Sequence, residues 1–115
     1  MNFEFSKADK KLVRQIIETG LQREFANGLV KMGKIIKDWE LKGTSSQDAY
    51  YKLFKALKNF DKHIARRYDK LTGSQYKLIV ASQLYDEVIG EDDLNGLSDE
   101  AKSEIISTSQ IFREL

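Results

Sequence analysis

The sequence contains no cysteine and no proline in 115 residues. Without cysteine there is no disulfide framework, no thiol nucleophile and no cysteine-bound zinc or iron–sulfur site. Without proline the commonest helix breaker is missing, which suits long helices joined by short turns marked with glycine or serine. No apolar run approaches the roughly 20 residues of a membrane span, and Met1 to Lys11 lacks the apolar core of a signal peptide. A soluble, cytoplasmic protein with no membrane partner is the expectation. Charge of one sign is lacking too. The net charge is +1, so an argument for nucleic acid or any other charged partner rests on how charge is distributed and not on its total.

What is present reads as one globular unit. The apolar and charged fractions are those of an ordinary folded protein, and the length allows roughly two-thirds of the unfolded surface to be buried. A single helical domain over residues 1–115 is expected, with no internal repeat. The segment that organises the rest runs from Thr44 to Gly73. Thr44-Ser45-Ser46-Gln47 carries a capping signal, and Gly73 is suited to the turn that ends a helix. Between them, Tyr50, Leu53, Phe54, Leu57, Phe60, Ile64, Tyr68 and Leu71 recur every three or four residues and define one helix face. This spacing puts Leu57 and Ile64 at the centre of the core.

Ser6, with Asp9 three residues on, caps a first helix that runs towards Leu41 and stops at Gly43. Its apolar residues do not keep one face. Phe5, Leu12, Val13, Ile16 and Gly20 cluster on one side, whereas Leu21, Phe25, Leu29, Met32, Ile35, Ile36 and Trp39 cluster roughly 120° away. Either the helix kinks between Thr19 and Gly28, or it is continuous and its two parts pack on different neighbours; continuity is favoured. Gly28 and Gly33 are small enough to admit another helix at close range. Ser74 is a cap for a third helix from Gln75 to about Ile89, ended by Gly90. Residues 91 to 97 form an acidic turn with Leu94 and Leu97 pointing inward. Ser98 then caps a fourth helix that reaches about Arg113. The expected fold is all-α, an antiparallel bundle of about four helices with a long first one.

No constellation for catalysis or metal binding stands out. The one histidine, His63, lies among Lys62 and Arg66, whose charges oppose a cation, and reads as a surface or edge residue. Glu91, Asp93, Asn95 and Gly96 fit the first half of a calcium loop, but its last position is Lys102 where a bidentate glutamate is needed. Asp61 falls within the apolar face of the central helix and must be paired, hydrogen-bonded or near the core's edge, because an unpaired buried charge costs several kcal/mol. No catalytic residue, cofactor or metal ligand is assigned, and no enzyme activity is expected.

Two surfaces are candidates for partners. Lys55, Lys58, Lys62, Arg66, Arg67 and Lys70 form a basic strip on the central helix, suited to an acidic protein surface or to phosphates. On the first helix, Phe5, Leu12, Val13 and Ile16 would be an exposed apolar patch, and a site of self-association, if the fourth helix with Phe112 did not cover them. The chain reads as a non-enzymatic interaction module that self-associates, with homodimers in view, or docks a protein partner. The alternative is a nucleic-acid-associated protein that binds phosphates electrostatically through residues 52–70.

Overall fold

The computed structural model of the chain describes residues 3–69 and 75–114. Those residues fold into four α-helices and no strand: α1 (Lys7–Glu40), α2 (Ser46–Tyr68), α3 (Tyr76–Tyr85) and α4 (Asp99–Phe112), with a 3-10 turn at Glu91–Leu94 before α4. The all-α class and the long first helix read from the sequence are what the structure has. Lys70, Leu71, Gly73 and the Ser74 cap lie outside the described residues. The chain divides into two compact units, residues 1–23 with 70–115, and residues 24–69.

α1 is continuous over 34 residues and contributes to both units. Its start is the one the sequence signals, with the Ser6 hydroxyl accepting the Asp9 amide at 3.1 Å. Its buried row is not. Asp9, Val13, Ile17, Gly20, Glu24, Gly28 and Met32 are the buried positions, three or four residues apart throughout. Two are carboxylates and two are glycines, so hydrophobic periodicity points elsewhere. Val13, placed above in an exposed self-association patch, is wholly buried, and Phe5, Leu12 and Ile16 are half-covered. That patch is therefore in part taken into the packing of its own unit, where Leu12 lies 3.6 Å from where a Cβ on Gly96 would be.

In the unit formed by residues 1–23 and 70–115, Val13, Ile17, Ile79, Val80, Ala81, Ile89, Leu94, Ala101 and Ile105 make an apolar core, with α3 packed on α4. Polar groups fix its edges. The Asp9 carboxylate accepts the Ser98 amide at 3.0 Å and the Ser98 hydroxyl at 2.5 Å, while Ser98 Oγ accepts the Ala101 amide and caps α4. The two hydrogen bonds from Ser98 hold the Asp9 carboxyl below the usual carboxylate range. Gly20 is backed directly by the buried Gln83 side chain, whose Nε2 donates to the Ile17 carbonyl. α3 is shorter than its sequence pattern suggests. It ends at Tyr85 because Glu87 turns left-handed (φ 60°), with the Val88 and Glu87 amides bonding back to Gln83 and Leu84; Gly90 is not the stop.

Residues 24–69 form an antiparallel helical hairpin. Gly28, near the start of this part of α1, touches Phe60 late in α2, and Trp39 Nε1 donates to Ser46 Oγ at the other end. A Cβ on Gly28 would come within 2.8 Å of the Phe60 ring, so the close approach requires glycine; Gly33 has nothing against it. Ser45 caps α2 by accepting the Asp48 amide. α1 closes with the same motif as α3, and its left-handed residue is Lys42 (φ 61°), not the following Gly43. Its signature is the bond pair Gly43 N–H to Asp38 O and Lys42 N–H to Trp39 O.

A lysine in left-handed backbone carries strain that glycine lacks, offset in part by the extra freedom glycine has when unfolded. Lys42→Gly should therefore raise stability by about 1 kcal/mol, read as a higher urea midpoint at unchanged slope. A lowered midpoint would show that the turn does not strain Lys42.

Candidate functional site

The hairpin holds both a buried polar cluster and most of the exposed large apolar side chains among the described residues. The cluster is built on Glu24, whose side chain is 7% exposed. Glu24 Oε1 accepts from His63 Nε2 at 2.6 Å and from Arg67 Nη1 at 2.9 Å, and Oε2 accepts the Tyr68 hydroxyl. Burial alone would raise the Glu24 carboxyl. The hydrogen bonds from His63 and Tyr68 and the nearby charge of Arg67 outweigh it, so the group is held below its ordinary value. Three donors from one turn and a half of α2 thus satisfy one carboxylate from α1.

This cluster corrects two readings and sharpens a third. Arg67, assigned to the basic strip, is turned inward with its side chain 9% exposed, and it neutralises Glu24. His63 stands at the edge, half-covered, as one of its two readings had it, and is tied to Glu24. Asp61, expected to be the carboxylate in need of an internal partner, is exposed. The internal carboxylate is Glu24, which hydropathy gave no reason to place inside.

Holding His63 and Arg67 against α1 fixes the rotation of α2. The row it turns inward is Ala49, Leu53, Ala56, Phe60, His63 and Arg67, joined near the end of the helix by half-covered Ile64 and buried Tyr68. Tyr50, Phe54 and Leu57 lie roughly 100° round the helix from that row and are left uncovered, with exposures of 64%, 52% and 45%. Leu57 is therefore not the core centre that the spacing indicated. α1 repeats the arrangement: Glu24, Gly28, Met32 and Ile35 face inward, while Phe25, Leu29 and Ile36 stand roughly 80° round and are uncovered. Both helices are right-handed and they run in opposite directions. Two rotations of the same sign consequently bring both uncovered rows to one face of the hairpin.

The basic strip borders this face. Lys55, Lys58, Lys62 and Arg66 are exposed on α2, and Lys58 Nζ sits 5.6 Å from the Phe54 ring centroid. Lys70 lies outside the described residues. The hairpin carries ten lysines and arginines against six carboxylates, a net +4, and the other unit nine against twelve, a net −3. Among the described residues no group of three or more histidines, aspartates or glutamates is placed to hold a metal ion. Asp93 of the acidic turn is instead taken by Arg23, at 2.9 and 3.1 Å, and accepts the Gly90 amide. Among the described residues no helix is long and apolar enough to cross a membrane.

Comparison with known proteins gives a fold and no family. No protein-family sequence model matches the chain, and no curated protein sequence does. Solved structures do share its fold. One is an arginine-to-lysine mutant of the Fluorescence Recovery Protein from Synechocystis sp PCC 6803, with a TM-score of 0.76 at 19% identity, covering 92% of this chain and 98% of that one. Another is the Fremyella diplosiphon Fluorescence Recovery Protein, with a TM-score of 0.72 at 18% identity, covering 93% of this chain and 99% of that one.

Removing the carboxylate's charge while keeping its shape leaves His63, Arg67 and Tyr68 facing an amide. Glu24→Gln should destabilise the protein by about 3 kcal/mol at neutral pH. Because the Glu24 carboxyl is depressed on folding, its stabilisation is complete above the unfolded value and fades as pH falls through the folded one. The gap between wild type and Glu24→Gln should accordingly narrow in acid, followed by denaturant titration at stepped pH. A gap constant with pH would mean that the charge of Glu24 does not matter.

Proposed function

We propose that this chain is a non-enzymatic interaction module that works through the uncovered face of its hairpin, and that the first occupant of that face is a second copy of the chain. The observation that carries the reading is the pair of rows Phe25, Leu29, Ile36 and Tyr50, Phe54, Leu57 on one side of a helical hairpin. Contiguous apolar surface of this kind is rare on monomers and marks interfaces, and a two-fold pairing is the commonest way to cover it. Self-association thus moves from Phe5, Leu12, Val13 and Ile16 to the hairpin. The fold shared with two fluorescence recovery proteins, named for the recovery of fluorescence and not for a reaction, agrees with a role without catalysis. A cytoplasmic setting goes with this reading.

A second reading keeps the basic strip for phosphates, supported by the exposure of Lys55, Lys58, Lys62 and Arg66. It requires an affinity for labelled duplex DNA or RNA that falls steeply with salt and vanishes when these four are reversed in charge.

Light scattering after size exclusion tests the first reading. The wild type should run as a dimer, and Leu29→Glu combined with Phe54→Glu should run as a monomer of unchanged helicity. Leu57→Ala should cost less than about 1.5 kcal/mol in that monomeric background, since the residue is nearly half exposed before assembly, and more in the wild type. A wild type that stays monomeric at high concentration would remove self-association and leave docking of a different protein.

A further inference from the structure

We propose that a pocket in the unit of residues 1–23 and 70–115 seats one apolar side chain from a basic segment of a partner protein. The pocket has a volume of about 230 Å³. Leu12 and Ile16 of α1 and Leu97 supply its apolar wall; Gln15, Thr19 and Asp93 supply its polar one. Gly96, with no side chain, leaves it open. It is below the size range of small-molecule sites and suited to a single anchoring side chain. This is also where Leu12 and Ile16, only half-covered by their own unit, remain accessible.

Charge selects the occupant. From Asp86 to Glu100 the chain has seven carboxylates and no lysine or arginine. Asp93 is committed to Arg23, and Lys102 Nζ donates to Asn95 Oδ1 at 3.0 Å, but Glu91 and Asp92, in the same turn as Asp93, are exposed and have the excess. Phosphates are repelled by such surroundings, whereas a segment with lysines or arginines on either side of an apolar residue is attracted and anchored together. This site is independent of the hairpin face, so the two readings stand or fall separately.

The test uses the full chain and a short dye-labelled peptide with one phenylalanine between two pairs of lysines, followed by fluorescence anisotropy. Saturable binding is expected, weakened about tenfold or more by Thr19→Trp, which fills the pocket, and by alanine in place of the peptide's phenylalanine. Glu91→Lys with Asp92→Lys should weaken it as well. Should Thr19→Trp fail to fold by circular dichroism, Gln15→Trp, at another exposed position on the pocket wall, takes its place. The proposal is overturned by an absence of saturable binding, or by binding indifferent to both the pocket-filling variant and the phenylalanine, which is charge attraction alone. Loss of binding in Leu29→Glu with Phe54→Glu, the pocket left intact, also overturns it, because the peptide then sits on the hairpin.

Discussion

One buried carboxylate dictates how the hairpin presents itself. Glu24 is charged and enclosed, and an enclosed charge without partners costs several kcal/mol, so α2 must bring donors to it. His63, Arg67 and Tyr68 are those donors. A helix that turns His63 and Arg67 inward turns Tyr50, Phe54 and Leu57 away from that contact, because their angular separation is fixed by the helical repeat. Rotating α2 the other way would gain about 1.5 to 3 kcal/mol for each apolar side chain covered. It would strand a charge and break the charge-assisted bonds of His63 and Arg67, about 1.5 to 3 kcal/mol each. The polar cluster is therefore a match for the apolar row within one chain, and a second surface laid on the hairpin satisfies both.

How much of this was legible in the sequence follows from what kind of signal each feature leaves. Ser6, Ser45 and Ser98 cap their helices by local bonds to amides three residues on, and local bonds are readable. Leu94 and Leu97 turn inward as their spacing in an acidic turn implies. The length of α1 was readable as well. Its buried row was not, because Asp9, Gly20, Glu24 and Gly28 lie inside for reasons that reside elsewhere in the chain: Ser98, Gln83, the His63 and Arg67 pair, and Phe60. A hydropathy pattern counts a carboxylate as outside and a glycine as neutral. It therefore took the exposed row Phe25, Leu29, Ile36 for the core of the helix, and took Leu57 for the core of its partner.

The candidate site is hidden from the sequence for the same reason. The basic strip was visible as a cluster of cations, yet the division of labour within it was not, since nothing local distinguishes Arg66, which is exposed, from Arg67, which is enclosed against Glu24. Asp61 and Glu24 exchange roles likewise. Asp61 has apolar helical neighbours and Glu24 has glycines, and only the antiparallel pairing of α1 with α2 decides which one meets donors. The exposed row ends at Asp61, so an interface laid over Phe54 and Leu57 has a carboxylate at its border and cations along its side. Such a rim contributes more to the choice of partner than to affinity.

Stability and assembly are coupled in a hairpin built this way. Its buried residues are few, with Glu24, Gly28, Met32 and Tyr68 the enclosed ones among those described, and units of this size bury too small a share of their surface to be robust alone. Anything that binds the folded hairpin and not the unfolded chain adds stability in proportion to the logarithm of its concentration over its dissociation constant. The uncovered rows are thus both the liability of the isolated unit and the means of relieving it. With the face occupied as proposed, such a hairpin is most stable where the occupant is abundant and loosens where it is scarce. The Glu24 cluster holds the helices in register in both circumstances, because its bonds lie between α1 and α2 and need no second chain.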